Sequence, residues 1–131
     1  MILDSSFLID LLCGKEESVK QKARSLDQRF VVKAITSISV MELWRGVLKK
    51  GASEEEKRKV KEIISSYLLY SFDEKAAQHA AEIESELSKN GEIIDLEDIM
   101  IAGIAQSKKE SILTRNQKHF QRIKDLEIET Y

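Results

Sequence analysis

The feature that most constrains this chain is alternation: short β-prone apolar runs are separated by longer stretches with helical spacing from one end to the other. The first run, Ile2-Leu3, stops at Asp4-Ser5-Ser6, which reads as a strand end and a helix cap. Phe7, Leu8, Leu11 and Leu12 then recur at helical spacing until Gly14 ends the helix. A polar helix is expected from Lys15 to about Asp27, and the β-branched run Phe30 to Ile35 (FVVKAI) predicts a buried strand. Thr36 and Ser37 are cap candidates for the helix ISVMELWRGVLKK, which stops at Gly51. Ser53 and Glu56 form a capping box that opens a charged helix to about Tyr67. Leu68 to Phe72 predicts a short strand, and Asp73 caps a helix ending at Asn90-Gly91. After GEII, the helix in DLEDIMIAGIAQSKK carries Ile99, Ala102, Gly103 and Ala105, which suit tight burial. SILT predicts a strand, RNQKHF a turn and LEIETY a last edge strand.

Strand and helix in repeated order imply an α/β fold: a three-layer α/β/α sandwich around a mostly parallel sheet. With 131 residues, the chain is expected to form a single domain over 1–131. In such sheets ligands bind outside the carboxyl ends of the strands.

That rule picks out a set of acids. Asp4 ends the first strand, Glu42 lies early in the helix after the second, and Asp98 lies near the start of the helix after GEII. Thr114, Arg115 and Asn116 sit at the end of the strand of SILT, at the same expected edge. Each acid sits among apolar neighbours: Ile2-Leu3 before Asp4, Val40 to Trp44 around Glu42, and IMIAGIA after Asp98. A buried carboxylate is costly unless it is paired or bound to metal. Converging carboxylates also raise one another's pKa values, a penalty that a divalent cation removes. Hard oxygen donors without a Cys/His set select Mg²⁺ or Mn²⁺. Water activated by such an ion attacks a phosphodiester.

Each of these residues also has an ordinary structural role to set against that chemistry. Asp4 suits a helix N-cap, Glu42 a surface acid paired with Arg45, and Asp98 a first-turn acid facing the helix dipole. Asp95 suits the N-cap of the helix that carries Asp98, while His79 and His119 read as structural or surface histidines. Trp44 reads as a core or interface anchor, and Cys13 as a small buried apolar group.

Charge narrows the function classes. The net charge of -2 is not the footprint of a protein that grips nucleic acid by bulk charge alone. A nucleic-acid enzyme of this composition must organise its cations locally, and Arg45, Lys49, Lys50 and Arg115 are the nearest candidates, Arg115 first. One cysteine excludes an internal disulfide. No signal peptide is read at the N-terminus, and no run reaches the roughly 18 apolar residues of a membrane span, so a cytoplasmic location is expected.

Taken together, the segments resemble the PIN-domain family, and its VapC toxin branch in particular, over essentially the whole chain. ILDSSFLIDLL resembles the opening motif, TSISVMELWRG the second, GEIIDLEDIMIAGIA the third and SILTRNQKHF the closing one. The resemblance implies an Mg²⁺- or Mn²⁺-dependent endoribonuclease that forms a homodimer and is inhibited by a small VapB-like antitoxin. It implies that Asp4, Glu42 and Asp98 are the metal-binding and catalytic residues. Ser5 matches the hydroxyl position beside the first Asp, and Asn116 the polar position after the last core strand. Two residues depart from the pattern. Ser6 stands where the family often has Asn, and His119 stands where many members have an acid before the Phe, here Phe120. The fourth acidic position is therefore weakened or filled otherwise, and Asp95 is a further metal-ligand candidate because it shares a helix face with Asp98.

Two other functions compete. A degenerate site on the same fold would make a module that binds RNA or protein without cutting. A phosphatase of the haloacid-dehalogenase type wants D-x-D after its first strand, and Asp4-Ser5-Ser6 lacks the second Asp.

Overall fold

The computed structural model describes residues 1–131. Five short strands form the sheet: β1 (Ile2–Leu3), β2 (Ala34–Thr36), β3 (Leu68–Tyr70), β4 (Ile112–Leu113) and β5 (Ile128–Glu129). Their order is β3-β2-β1-β4-β5, and every pairing is parallel. Seven helices cover the sheet: α1 (Ser5–Cys13), α2 (Glu17–Gln28), α3 (Ser37–Lys49), α4 (Glu54–Ser65), α5 (Glu74–Lys89), α6 (Leu96–Lys108) and α7 (Gln117–Phe120).

Successive strand residues point to opposite faces, and the core divides accordingly. Ile2 and Ile112 join a cluster with α5, α6 and α7, while Leu3 and Leu113 join the one with α1 to α4. Both faces are therefore covered, as the alternation predicted. The caps are local chemistry. Thr36, Ser53 and Asp73 accept N–H bonds from Ser39, Glu56 and Ala76, and Gly14 closes α1 in the left-handed region at φ 62°. Gly103 lets α6 lie against α5 at close range, since a Cβ there would come within 2.6 Å of the Ala76 carbonyl oxygen.

The expected strand at Phe30–Ile35 is shorter and displaced. Pairing begins only where Ala34 meets Ile2, and Phe30 lies 94% exposed with a φ of 54°. Cys13, expected to be buried, is exposed at the end of α1.

The chain winds outward from β1 through β2 to β3, then returns to the other side of β1 with β4 and β5. The strand order thus reverses between β1 and β4, and such a switch point is where parallel sheets open a crevice for ligands.

Candidate active site

Asp4 and Thr114 stand one residue beyond β1 and β4, directly at this switch point. Asp4 is only 2% exposed. Its backbone is extended at the N-cap position of α1, yet its side chain makes no cap bond. Instead Oδ2 accepts hydrogen bonds from the hydroxyls of Ser6 (2.8 Å) and Thr114 (2.7 Å). A carboxylate that forgoes the free N–H groups of its own helix and is held by hydroxyls is oriented for something other than capping.

Those hydroxyls are themselves anchored. Ser6 Oγ accepts the Arg115 backbone N–H, and Thr114 Oγ1 accepts that of Asn116. Asp4 is therefore tied to both ends of the switch point. Ser5 extends the set: its hydroxyl donates to Glu42 Oε1 at 2.7 Å and lies 3.4 Å from Asp4 Oδ1. A hydroxyl has one proton to give, so Ser5 serves Glu42 and spaces the two carboxylates. No buried polar side-chain atom is left without a partner.

Asp98 reaches the same region from the first turn of α6 and is buried. Its Oδ2 lies 2.8 Å from His119 Nδ1, on α7. Asp95, at the N-cap position of α6, makes no side-chain cap bond and is exposed. Asp95, Asp98 and His119 each offer a ligand atom, and the three atoms lie within 4.8 Å of one another. Asp4, Glu42 and Asp98 do not close into such a set. The site thus has two sides: Asp4 with Glu42, joined through Ser5, and Asp98 with Asp95 and His119.

Electrostatics couple the sides. Burial pushes the Glu42 carboxyl above the ordinary carboxylate range; the Ser5 hydrogen bond opposes this, and the charges of Asp4 and Asp98 add to it. Burial likewise raises Asp98, opposed by the His119 hydrogen bond and reinforced by Asp4 and Asp95. Crowding of this kind disfavours the ionised carboxylates, and a bound cation relieves it. The donors are carboxylate oxygens and one imidazole, with no thiolate, and that set fits Mg²⁺ or Mn²⁺.

Cations border the acids. Arg45 Nη1 pairs with Glu97 of α6 at 3.2 Å, and its Nη2 lies 3.9 Å from Glu42. The ordinary Glu42–Arg45 pair is therefore present, and it coexists with the Ser5 bond. Arg115 is held by Asp10, whose Oδ2 accepts from Arg115 Nη1 and from the Tyr131 hydroxyl, both at 2.8 Å. Tyr131 in turn stands edge-on to Phe7 at 4.9 Å. Sequence reasoning missed Asp10 and Glu97. Their partners lie far along the chain, so no local spacing announces them. His79, by contrast, hydrogen-bonds to Gln106 and is not among the residues grouped with Asp98.

The family model described as "PIN domain" matches residues 1–126. The chain belongs to the PIN domain family. Within that family its similarity runs to the VapC proteins. It is 32% identical to the tRNA(fMet)-specific endonuclease VapC of Salmonella typhimurium over 130 residues, covering 99% of this chain and 96% of that protein. Over 98 residues it is 33% identical to Ribonuclease VapC2 of Rickettsia felis, covering 75% and 73% of the two chains. Its fold matches a chain of the crystal structure of Rickettsia felis VapBC2 bound to a promoter DNA fragment. That match has a TM-score of 0.90 and 27% identity, over 99% of this chain and 97% of that one. DNA-bound VapBC from Salmonella typhimurium matches with a TM-score of 0.88 and 31% identity, over 98% and 96%.

Proposed function

We propose that this chain is a divalent-metal-dependent endoribonuclease of the VapC type, a cytoplasmic toxin that cuts RNA phosphodiester bonds and is held in check by a small VapB-like antitoxin. Asp4 carries the reading: a buried carboxylate at the switch point, aimed by two hydroxyls rather than by its helix, with Glu42 and Asp98 beside it. Asp4, Glu42 and Asp98 are the residues proposed to hold the ion, with Asp95 and His119 bordering Asp98. Mg²⁺ or Mn²⁺ bound there supplies Lewis acidity toward water and neutralises charge on the phosphoryl group.

The protein's own groups do the rest. Ser6 and Thr114 hold Asp4 Oδ2 in one orientation, and Ser5 sets the position of Glu42. Thr114 and Asn116 fix the turn after β4, which aims Arg115. Asp10 occupies one end of the Arg115 guanidinium and leaves its other N–H groups to face a phosphate. This local cation answers the problem posed by the acidic balance of the whole chain.

A partner surface adjoins the site. A groove between α1, α3 and α4 is lined by Ile9, Leu12, Leu43, Val47 and Val60, and it shares Glu42 with the acidic cluster. An amphipathic antitoxin segment fits such a groove and reaches the acids from it. Self-association into a homodimer belongs to the same reading.

The test is cleavage of a mixed RNA substrate by purified protein, with Mn²⁺, with EDTA, and with Asp4→Asn. Two relatives are named tRNA(fMet)-specific, so that RNA is assayed first. The expected result is cutting that needs the metal and disappears in the variant. Well-folded protein that binds Mn²⁺ and cuts no RNA would replace the nuclease by a binding module.

A further inference from the structure

Two histidines occur in the chain, and only one of them stands among the acids. His119 lies on α7, where Phe120 is fully buried in the core and the His119 N–H bonds to the Asn116 carbonyl at 3.0 Å. The ring is thus carried on an anchored turn and set against Asp98. The spacing suits a shared ion: neighbouring ligands of an octahedral cation bonded at about 2.1 Å stand about 3 Å apart. Asp98 Oδ2 and His119 Nδ1 are 2.8 Å apart. Asp95 completes three donors within 4.8 Å, and its exposed carboxylate, free of any cap bond, turns inward without breaking a contact.

We propose that His119 is a nitrogen ligand of the ion at Asp98, so that this chain takes a mixed oxygen–nitrogen metal site and prefers Mn²⁺ to Mg²⁺. The inference rests on the metal-nuclease reading above. Its physical basis is donor softness. Mg²⁺ wants oxygen donors and keeps several waters, whereas imidazole suits transition metals. To ligate an ion, His119 would present Nδ1 without its proton, as the tautomer that carries the hydrogen on Nε2, and Asp98 would offer its ionised carboxylate. A purely structural His119 would instead hold Asp98 by a proton on Nδ1 and stand aside from the ion.

The experiment is Mn²⁺ binding followed by electron spin echo spectroscopy, which reads nitrogen coupled to the metal, together with Mn²⁺ and Mg²⁺ affinities by calorimetry. It compares the unchanged chain, His119→Asp and His79→Gln. Expected are a ¹⁴N coupling in the unchanged chain and in His79→Gln, and its loss in His119→Asp. Outer-shell partners are worth roughly 10–100-fold in metal affinity, so exchanging a ligand should lower the Mn²⁺/Mg²⁺ affinity ratio at least about tenfold. His119→Asp restores an acid at this position, so it should still bind Mg²⁺ and fold. Mn²⁺ binding without nitrogen coupling, or an unchanged ratio in His119→Asp, would overturn the proposal and leave the metal nuclease standing. Absence of Mn²⁺ binding in all three proteins would remove both readings.

Discussion

The two sides of the acidic site are built in opposite ways. On the sheet side, Asp4 is sealed from solvent and held by hydroxyls that are themselves held by backbone N–H groups. Its position follows from the ends of β1 and β4. On the helical side, Asp98 meets His119 from a four-residue helix, and Asp95 stands exposed. Its geometry depends on how α6 and α7 pack. The difference teaches where variation is tolerated. Altering the hydroxyls of the sheet side breaks a buried network, whereas altering Asp95 or His119 on the helical side changes a donor that solvent reaches. The departure at His119 falls on the tolerant side.

The sharpest way to break this comparison is Asp4→Asn. The amide oxygen can take the place of Oδ2 and keep the Ser6 and Thr114 bonds, so the variant should fold. It loses the charge, and RNA cleavage should fall at least about a hundredfold, beyond the upper end of what outer-shell partners contribute. Single-turnover cleavage with matched thermal melts checks both halves of the statement. Collapse of the fold instead would show Asp4 to be structural. Next in size is Gly103→Ala. Its Cβ would meet the Ala76 carbonyl and the Ala80 N and Cβ, at 2.6 to 2.9 Å, and backbone atoms cannot swing aside. Overpacking typically costs about 1–3 kcal/mol, and the upper end is expected here by chemical denaturation. Because α6 must shift, Mn²⁺ affinity should fall with it, while the Asp4 side keeps its hydroxyl bonds.

The same contrast decides what could be read from the residues alone. Strand and helix alternation gave the layers because burial on both faces leaves a periodic trace. Asp4, Glu42 and Asp98 were legible because charges inside apolar runs are costly without a purpose. The strand at Phe30–Ile35 was overread: an apolar run shows capacity for a strand, but pairing needs a neighbour, and β1 offers only Ile2 and Leu3 before Asp4. Cys13 was misplaced because, as the last residue of α1, it faces solvent although Leu11 and Leu12 just before it pack against the core. Asp10 with Arg115 and Glu97 with Arg45 were invisible because they pair residues distant in sequence. His119 carried only a residue type in an unexpected place; its contact with Asp98 needed the packing of α7 on α6.

Ser6→Ala sharpens the comparison at smaller cost. It removes one of two hydroxyls from Asp4 and the acceptor of the Arg115 N–H. About 2 kcal/mol of stability should go, at roughly 1 kcal/mol for each of the two hydrogen bonds lost. Cleavage should drop more than Mn²⁺ affinity, because Thr114 still holds Asp4 while the turn carrying Arg115 loosens. Equal losses in both would place Ser6 in the metal site itself.

The smallest expected effect is on the thermal stability of Asp98→Asn, and its sign is the most informative. A carboxyl whose pKa is raised by folding, as burial and neighbouring acids raise Asp98, contributes most at low pH. That contribution is lost as pH rises through its folded pKa. At neutral pH and without metal, Asp98 therefore works against the fold, and Asn should melt slightly higher. Other acids pull the profile the opposite way, Glu129 among them, whose bonds to Arg29 and Lys22 lower its pKa. The quantity to measure is consequently the difference in Tm between Asp98→Asn and the unchanged chain, without metal, across the carboxylate range. It should be negligible at low pH and grow as pH rises. Added Mn²⁺ should reverse it, stabilising the unchanged chain and leaving the variant behind. If Asp98 instead served mainly as a partner for His119, the substitution would lower Tm at neutral pH whether or not Mn²⁺ is present. The helical side would then be an ion pair closing the site rather than half of a metal centre.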